Sequence, residues 1–201
     1  MLTNYFTPDL SAGSFRMQAL IDALAKYKNT GLRVDIVTTF PNRYASFKTK
    51  PPLFEDKGWL RIYRIKVPAH KNGMIDQAIG YYFYYKGVKK IVNLNSYHLV
   101  FATSSRLMTG FLASRVARKL QVPYYLDLRD LFADTITQVL NKYLGFFLAF
   151  FIKKIEKNTL EKAHSISIVS EGFMEYVNEI SPNAKIKVFT NGIDDLFYEK
   201  R

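Results

Sequence analysis

Short apolar runs of strand length alternate along this chain with longer segments in which apolar residues recur every three or four positions. Leu2 to Phe6, Leu32 to Thr38, Trp59 to Val67, Leu99 to Thr103, Tyr124 to Leu128, Ile166 to Val169 and Ile186 to Phe189 contain no proline, and several are rich in β-branched and aromatic residues. They read as strands. Between them, Met17, Leu20, Ile21 and Leu24 share one face of a helix, and the stretches Leu107 to Leu120 and Phe147 to Leu160 repeat that spacing. Ser170 ahead of an amphipathic stretch predicts a strand-to-helix turn with a hydroxyl N-cap. Asn191-Gly192 after the alternating Ile186 and Val188 predicts a strand followed by a tight turn.

Strand alternating with helix requires right-handed crossovers and a mostly parallel sheet. The fold class expected is α/β, a doubly wound, Rossmann-like sheet. A length of 201 residues fits one large domain with a substantial core. The longest irregular stretch, residues 41–58, carries three prolines and reads as a surface loop.

The chain has no cysteine, and no basic segment followed by an apolar one opens it, so a cytoplasmic protein is expected. Its longest apolar run, Tyr143 to Ile152, falls short of the roughly 20 residues that a spanning helix needs. That run is therefore a buried helix or an interfacial one. Lysine and arginine total 29 against 17 acidic residues, a formal charge of +12. Such an excess favours an anionic partner: nucleic acid, an acidic membrane or a phosphorylated substrate. Lys86, Lys89 and Lys90 follow the aromatic run Tyr81 to Tyr85, and Lys153, Lys154 and Lys157 follow the Phe-rich run. Lysines beside aromatic rings are what a peripheral helix presents to anionic headgroups. The basic residues are otherwise scattered, and no nucleic-acid reader motif occurs, which argues against nucleic acid.

In doubly wound sheets, ligands sit beyond the carboxyl ends of the strands. After the first strand comes Ser11-Ala12-Gly13-Ser14, a turn in which glycine lets backbone amides approach an anion at a helix N-terminus. It reads equally as an ordinary capped turn. With one glycine, and with the second strand ending Thr38-Thr39, it is no dinucleotide fingerprint, and the Walker pattern is absent. After the fourth strand, Thr103-Ser104-Ser105-Arg106 offers hydroxyls and a guanidinium to a sugar or phosphate, or a serine cap to the next helix. After the fifth, Asp127-Leu128-Arg129-Asp130 sets a carboxylate next to a guanidinium, suited either to orienting hydroxyls near a charged centre or to a structural ion pair. Glu171 opens a helix, as a ligand contact or as a complement to the dipole. His70, His98 and His164 form no site, and no cluster has metal-ligand spacing, so no metal is expected.

Three blocks carry a family resemblance: Tyr5 to Arg16, Leu126 to Phe132, and Ala163-His164 through Ser170 to Asn191-Gly192-Ile193-Asp194 and Phe197. Together they resemble the N-terminal half of family 4 retaining glycosyltransferases of the GT-B type. Asp127 to Ala133 is similar to the family's DxRDLWP segment, with Phe132-Ala133 in place of Trp-Pro. Thr103 to Arg106 is similar to a TSPPL turn in which Ser-Arg replaces the prolines. Arg129 stands where many relatives carry a histidine, so a histidine-dependent role is not carried over.

The resemblance implies that residues 1–201 form the acceptor-side domain, with the nucleotide-sugar-binding domain C-terminal to this chain. The implied reaction is transfer of a sugar, with retention, from a nucleotide sugar to a membrane-linked or polysaccharide acceptor, as in bacterial lipopolysaccharide or capsule assembly. Asp130 and Arg129 take the catalytic roles. Gly13, Ser14, Arg16, Ser104, Ser105, Arg106 and Glu171 face the donor diphosphate or the acceptor. No cofactor beyond the donor is implied, and the chain by itself should not transfer sugar. An anionic membrane surface is a candidate partner, met by Lys86, Lys89, Lys90, Lys153 and Lys154. Alternatives are a non-catalytic binding domain for an anionic membrane or polymer, and half of a nucleotide-sugar epimerase.

Overall fold

The computed structural model describes residues 1–41, 49–68, 74–104, 106–131 and 142–192, with side chains described throughout except at 74–75 and 142–148. Helix α1 is Ala12–Leu24, and the Ser11 hydroxyl accepts from the Ser14 N–H at its start. A 3-10 turn, Ala25–Thr30, then ends at Gly31, whose φ of 85° is open to glycine at little cost. Strands β1 (Val34–Thr39), β2 (Phe54–Asp56) and β3 (Leu60–Ile65) precede the long helix α2 (Met74–Val92). Then come β4 (Val100–Thr103), α3 (Leu107–Leu120), β5 (Tyr124–Leu128), α4 (Lys142–Glu161), β6 (Ser165–Ile168), a short 3-10 turn (Glu171–Phe173), α5 (Met174–Ile180) and β7 (Lys185–Val188).

β3 runs parallel to β1 and antiparallel to β2, while β4, β5, β6 and β7 form a parallel run in that order. The expected first strand contracts to Leu2, which bridges Val37 of β1 and Ala102 of β4, both in parallel sense. Its neighbours complete the ladder: Val37 N–H donates to Met1 O, Thr3 N–H to Val37 O, and Thr103 N–H to Leu2 O. Leu2 thereby joins two groups of strands into one sheet.

Strand β2 lies inside the stretch expected to be loop. It is a three-residue edge strand with no buried side chain, so it lacks the alternation by which strands declare themselves. Phe54 is nevertheless held against Tyr63 of β3, ring centroids 4.9 Å apart.

Side chains alternate across the sheet, as pleating dictates. Ile36, Val34, Leu60 and Ile62 face α1 and pack with Met17 and Ile21. Val37, Ala102, Leu126 and Ile166 face the other way, against Tyr84 and Val88 of α2, Leu112 of α3, Leu160 of α4 and Val177 of α5. Tyr84 is fully buried there, its hydroxyl donating to Val37 O at 2.8 Å and near Thr3 O at 3.1 Å. No helix among the described residues is long and apolar enough to cross a membrane.

Candidate functional site at the strand mouth

The carboxyl ends of β4, β5 and β6 carry one polar row. The parallel register sets Thr103 beside Asp127 and Asp127 beside Ser167. Within β5, Tyr125 and Asp127 lie on the α1 side, because Leu126 and Leu128 are committed to the opposite core. Asp127 thus sits at a buried strand position, 6% exposed, where a carboxylate needs partners to persist. It has three. Ser167 Oγ donates to Oδ1 at 2.8 Å, Arg129 Nε donates to Oδ2 at 2.8 Å, and Arg16 Nε stands 3.9 Å from Oδ2.

Arg129 is fixed from both ends. Its backbone N–H donates to Ser104 Oγ at 3.0 Å, and its Nη1 reaches the Asn191 side-chain oxygen at 3.4 Å. Arg16, one turn into α1, reaches that same Asn191 oxygen at 3.4 Å. Burial, and then the Arg129 cation, push the Arg16 guanidinium below its ordinary pKa, with Asp127 and Asp130 pulling it back. Two guanidiniums, which remain charged in any case, therefore converge on one buried carboxylate and one neutral amide. Arg16 Nε has no hydrogen-bond partner among the described residues, and neither have the buried hydroxyls of Ser14 and Thr103. Beside this cluster an open cavity of about 1260 Å³ runs along the sheet, with Arg16, Tyr125, Asp127, Arg129, Ser167 and Phe189 among its lining residues.

The structure brings Arg16 and Arg129 together and leaves Asp130 exposed at the same mouth. Gly13 and Ser14 are buried in the first turn of α1, and the Ser14 N–H is engaged by the Ser11 cap. Ser104 differs from the cap reading of it. Its buried hydroxyl neither caps α3, whose N-cap residue is Arg106, nor faces open space; it anchors the Arg129 backbone. Arg106 turns to Tyr5, donating to its hydroxyl at 2.7 Å with the guanidinium 5.6 Å from the ring centroid. Glu171 is exposed at the start of its 3-10 turn and makes none of the cluster's hydrogen bonds; Ser170 supplies the expected cap, accepting from Gly172 N–H at 3.2 Å. Ser105, Phe132, Ala133, Ile193, Asp194 and Phe197 lie outside the described residues. No cluster that could hold a metal ion occurs among the described residues.

Asp127, Ser167 and Asn191 are the centre of the site, and the motif reading named none of them as a site residue. For Asp127 a signal was present: a carboxylate inside an otherwise apolar five-residue strand demands compensation. Ser167 gave none, since its role depends on strand register, and Asn191, quoted only in a turn pattern and a family block, gave no sign of the two arginines it meets.

No curated protein sequence matches the chain. Among solved structures, a sucrose-phosphate synthase from Thermosynechococcus elongatus superposes with a TM-score of 0.63 at 14% identity, covering 96% of this chain and 88% of that one. A second structure of that synthase gives 0.66 at 13% identity, over 96% of this chain and 48% of the other. A UGT transferase from Siraitia grosvenorii, solved in complex with UDP, gives 0.54 at 12%, over 96% and 51%. The chain thus spans about half the length of the latter two. At these identities the likeness shows the fold, that of GT-B N-terminal domains. The family profile described as a glycosyl transferase 4-like domain matches residues 14–192, and the chain belongs to that family.

Proposed function

We propose that this chain supplies the acceptor-side half of a glycosyltransferase that moves a sugar, with retention, from a nucleotide sugar to a glycan or lipid-linked acceptor. The observation that carries this reading is the convergence of Arg16 and Arg129 on Asn191 above the buried Asp127. In such a transfer the bond between the anomeric carbon and the diphosphate oxygen breaks, and negative charge grows on the departing diphosphate. The acceptor oxygen bonds to that carbon and loses its proton. Preorganised cations at the position of the growing charge lower the barrier, typically by a factor of about 10²–10³ per donor. Two guanidiniums offer paired N–H groups suited to phosphate oxygens. Asp127 offsets one of the two charges, and the exposed Asp130, screened by water, offsets the other only in part, so the pair keeps attraction for an anion. The exposed Asp130 would orient an acceptor hydroxyl or take its proton.

A second domain would hold the nucleoside and complete the cleft, because half a cleft cannot preorganise both reactants. Two findings support this: family membership, and a similar fold in a UGT transferase solved with UDP. The test is a panel of uridine, guanosine and thymidine diphosphate sugars offered to the chain with glycan and lipid-linked acceptors. Weak diphosphate-dependent binding without turnover is expected. Turnover by this chain alone at about 1 s⁻¹ or faster, a rate common for whole enzymes, would overturn the two-domain account.

A further inference from the structure

We propose that the outer face of the α2, α3 and α4 layer docks on an anionic lipid bilayer, holding the strand mouth at the membrane surface. The docking stands on the surface itself; its use, presenting a lipid-linked acceptor to the mouth, rests on the function proposed above.

These three helices pack on one side of the sheet through Tyr84, Val88, Leu112, Val116 and Leu160, so their other faces point outward together. On α2 the outward stripe is Ile79, Tyr82, Phe83 and Lys86, at i, i+3, i+4 and i+7; its three apolar members are 43, 51 and 45% exposed. Lys89 and Lys90 are exposed one turn further on. α3, between the other two, exposes Arg115, Arg118 and Lys119. α4 exposes Phe150 and Phe151, at 63 and 58%, followed by Lys153, Lys154 and Lys157. The carboxylates of the three helices are only Asp76, Glu161 and Glu156, and the last is buried. The aromatic runs are therefore divided: Tyr84 goes into the core, while Tyr82, Phe83, Phe150 and Phe151 stay outside among cations.

Large exposed rings clustered with lysines match a bilayer interface, with rings at the hydrocarbon boundary and ammonium groups at the phosphates. Lys86 already lies 4.6 Å from the Tyr82 ring centroid. The neighbouring rings meet edge to face, at 82° for Tyr82–Phe83 and 79° for Phe150–Phe151, and so form no parallel platform for stacked bases. That favours lipid over single-stranded nucleic acid. Orientation follows from topology. α2 and α4 each leave the carboxyl end of one strand and return to the start of another, so each begins at the mouth. Their exposed aromatic residues lie in the first half or the middle of each helix, and the lysines follow in the second half. The aromatic edge of the face is the one nearer the site.

The test is co-sedimentation of the chain with vesicles of phosphatidylcholine alone and of phosphatidylcholine mixed with phosphatidylglycerol. Binding is expected only with the anionic mixture, fading at high salt. Each lysine at such a surface contributes about five-fold to the partition coefficient, so joint replacement of Lys86, Lys89 and Lys90 by glutamine should weaken binding by about 100-fold. Replacing Lys26, Lys28 and Lys57, which are exposed away from this face, removes the same charge and should leave most of the binding. Phe150→Ser with Phe151→Ser should weaken it at any salt, with unchanged circular dichroism confirming the fold. Equal binding to both vesicle types, no binding to either, equal loss in the two lysine sets, or capture of single-stranded RNA without vesicle binding would each overturn the proposal. None of these outcomes bears on the diphosphate reading, which is tested at Arg16 and Arg129.

Discussion

Arg16 and Arg129, one from the first turns of α1 and the other from the end of β5, share a single acceptor, the side-chain oxygen of Asn191, at 3.4 Å each. Like charges placed together in a half-buried setting repel, and the cost is met when an anion fills the space between their free N–H groups. Asp127 holds the pair from below through Arg129 Nε at 2.8 Å, more loosely through Arg16 at 3.9 Å. Arg129 is therefore the fixed member of the pair, and Arg16 the one freer to reach a ligand.

Asp127→Asn should destabilise the fold. The amide keeps the size of the carboxylate but strips the charge between two guanidiniums, and unpairing a buried charge cluster costs about 2–4 kcal/mol. The melting temperature should drop by roughly 5–15 °C for a chain of this size. An unchanged melting temperature would show that the arginines need no counter-charge in the free protein.

Asp130→Asn should do the opposite. The residue is exposed at the mouth, so the fold should melt as before, while in the two-domain transferase proposed above kcat should fall by about 10²-fold or more. A lowered melting temperature with full activity per folded molecule would make Asp130 a structural residue.

Two glycines on one helix should respond with opposite signs. At Gly87 a Cβ would stand 2.5 Å from Ile65 Cδ1, 2.7 Å from Cγ1 and 2.9 Å from Cγ2, whereas at Gly80 nothing lies within 4 Å. Gly80→Ala should stabilise by up to about 1 kcal/mol through helix propensity. Gly87→Ala should lose about 1–3 kcal/mol, because α2 must back away from β3. Urea unfolding of both variants checks the contrast, and a stabilised Gly87→Ala would contradict a close approach of α2 to β3 at this position.

Much of this architecture was legible in the chain because its parallel strands are short apolar runs and its helices carry a regular stripe. Strand β2 was not, and the first strand, expected over Leu2 to Phe6, bridges its neighbours at Leu2. Leu2 works as a strand residue through hydrogen bonds to partners far along the chain, Phe101 among them, and β2 shows no apolar alternation. The site was legible in outline, since Arg16 and Arg129 both fall after strands. Its centre was hidden: the pairing of Asp127 with Ser167 arises from the register of β5 on β6, and the approach of Asn191 from the path of the chain after β7. Ser104, read from its position as a ligand contact or a cap, is engaged by the Arg129 N–H, which no local pattern announces.

Alkaline pH should unfold the protein progressively. Burial pushes Tyr81 up to about 12 and also raises Tyr84, Tyr97 and Tyr124, with the hydrogen bond to Asp35 adding to the rise at Tyr97. In the unfolded chain these phenols lose protons near 10, so between about pH 10 and 12 the folded state holds protons that the unfolded state has released. Stability is whole below pH 10 and falls above it, by up to about 1.4 kcal/mol per pH unit for each such tyrosine. The urea midpoint should drop between about pH 9 and pH 11. The drop should be shallower in Tyr97→Phe; equal slopes in the two proteins would show that Tyr97 does not contribute.

The central claim, that Arg16 and Arg129 form an anion-receiving pair, is tested most directly by titrating the isotope-labelled chain with inorganic pyrophosphate while following arginine Nε–H resonances. The signals of Arg16 and Arg129 should shift together and saturate, and those of Arg61, bound to Asp35, and of Arg64, bound to Glu55, should stay in place. Shifts of equal size at all four arginines, or none at Arg16 and Arg129, would contradict the account.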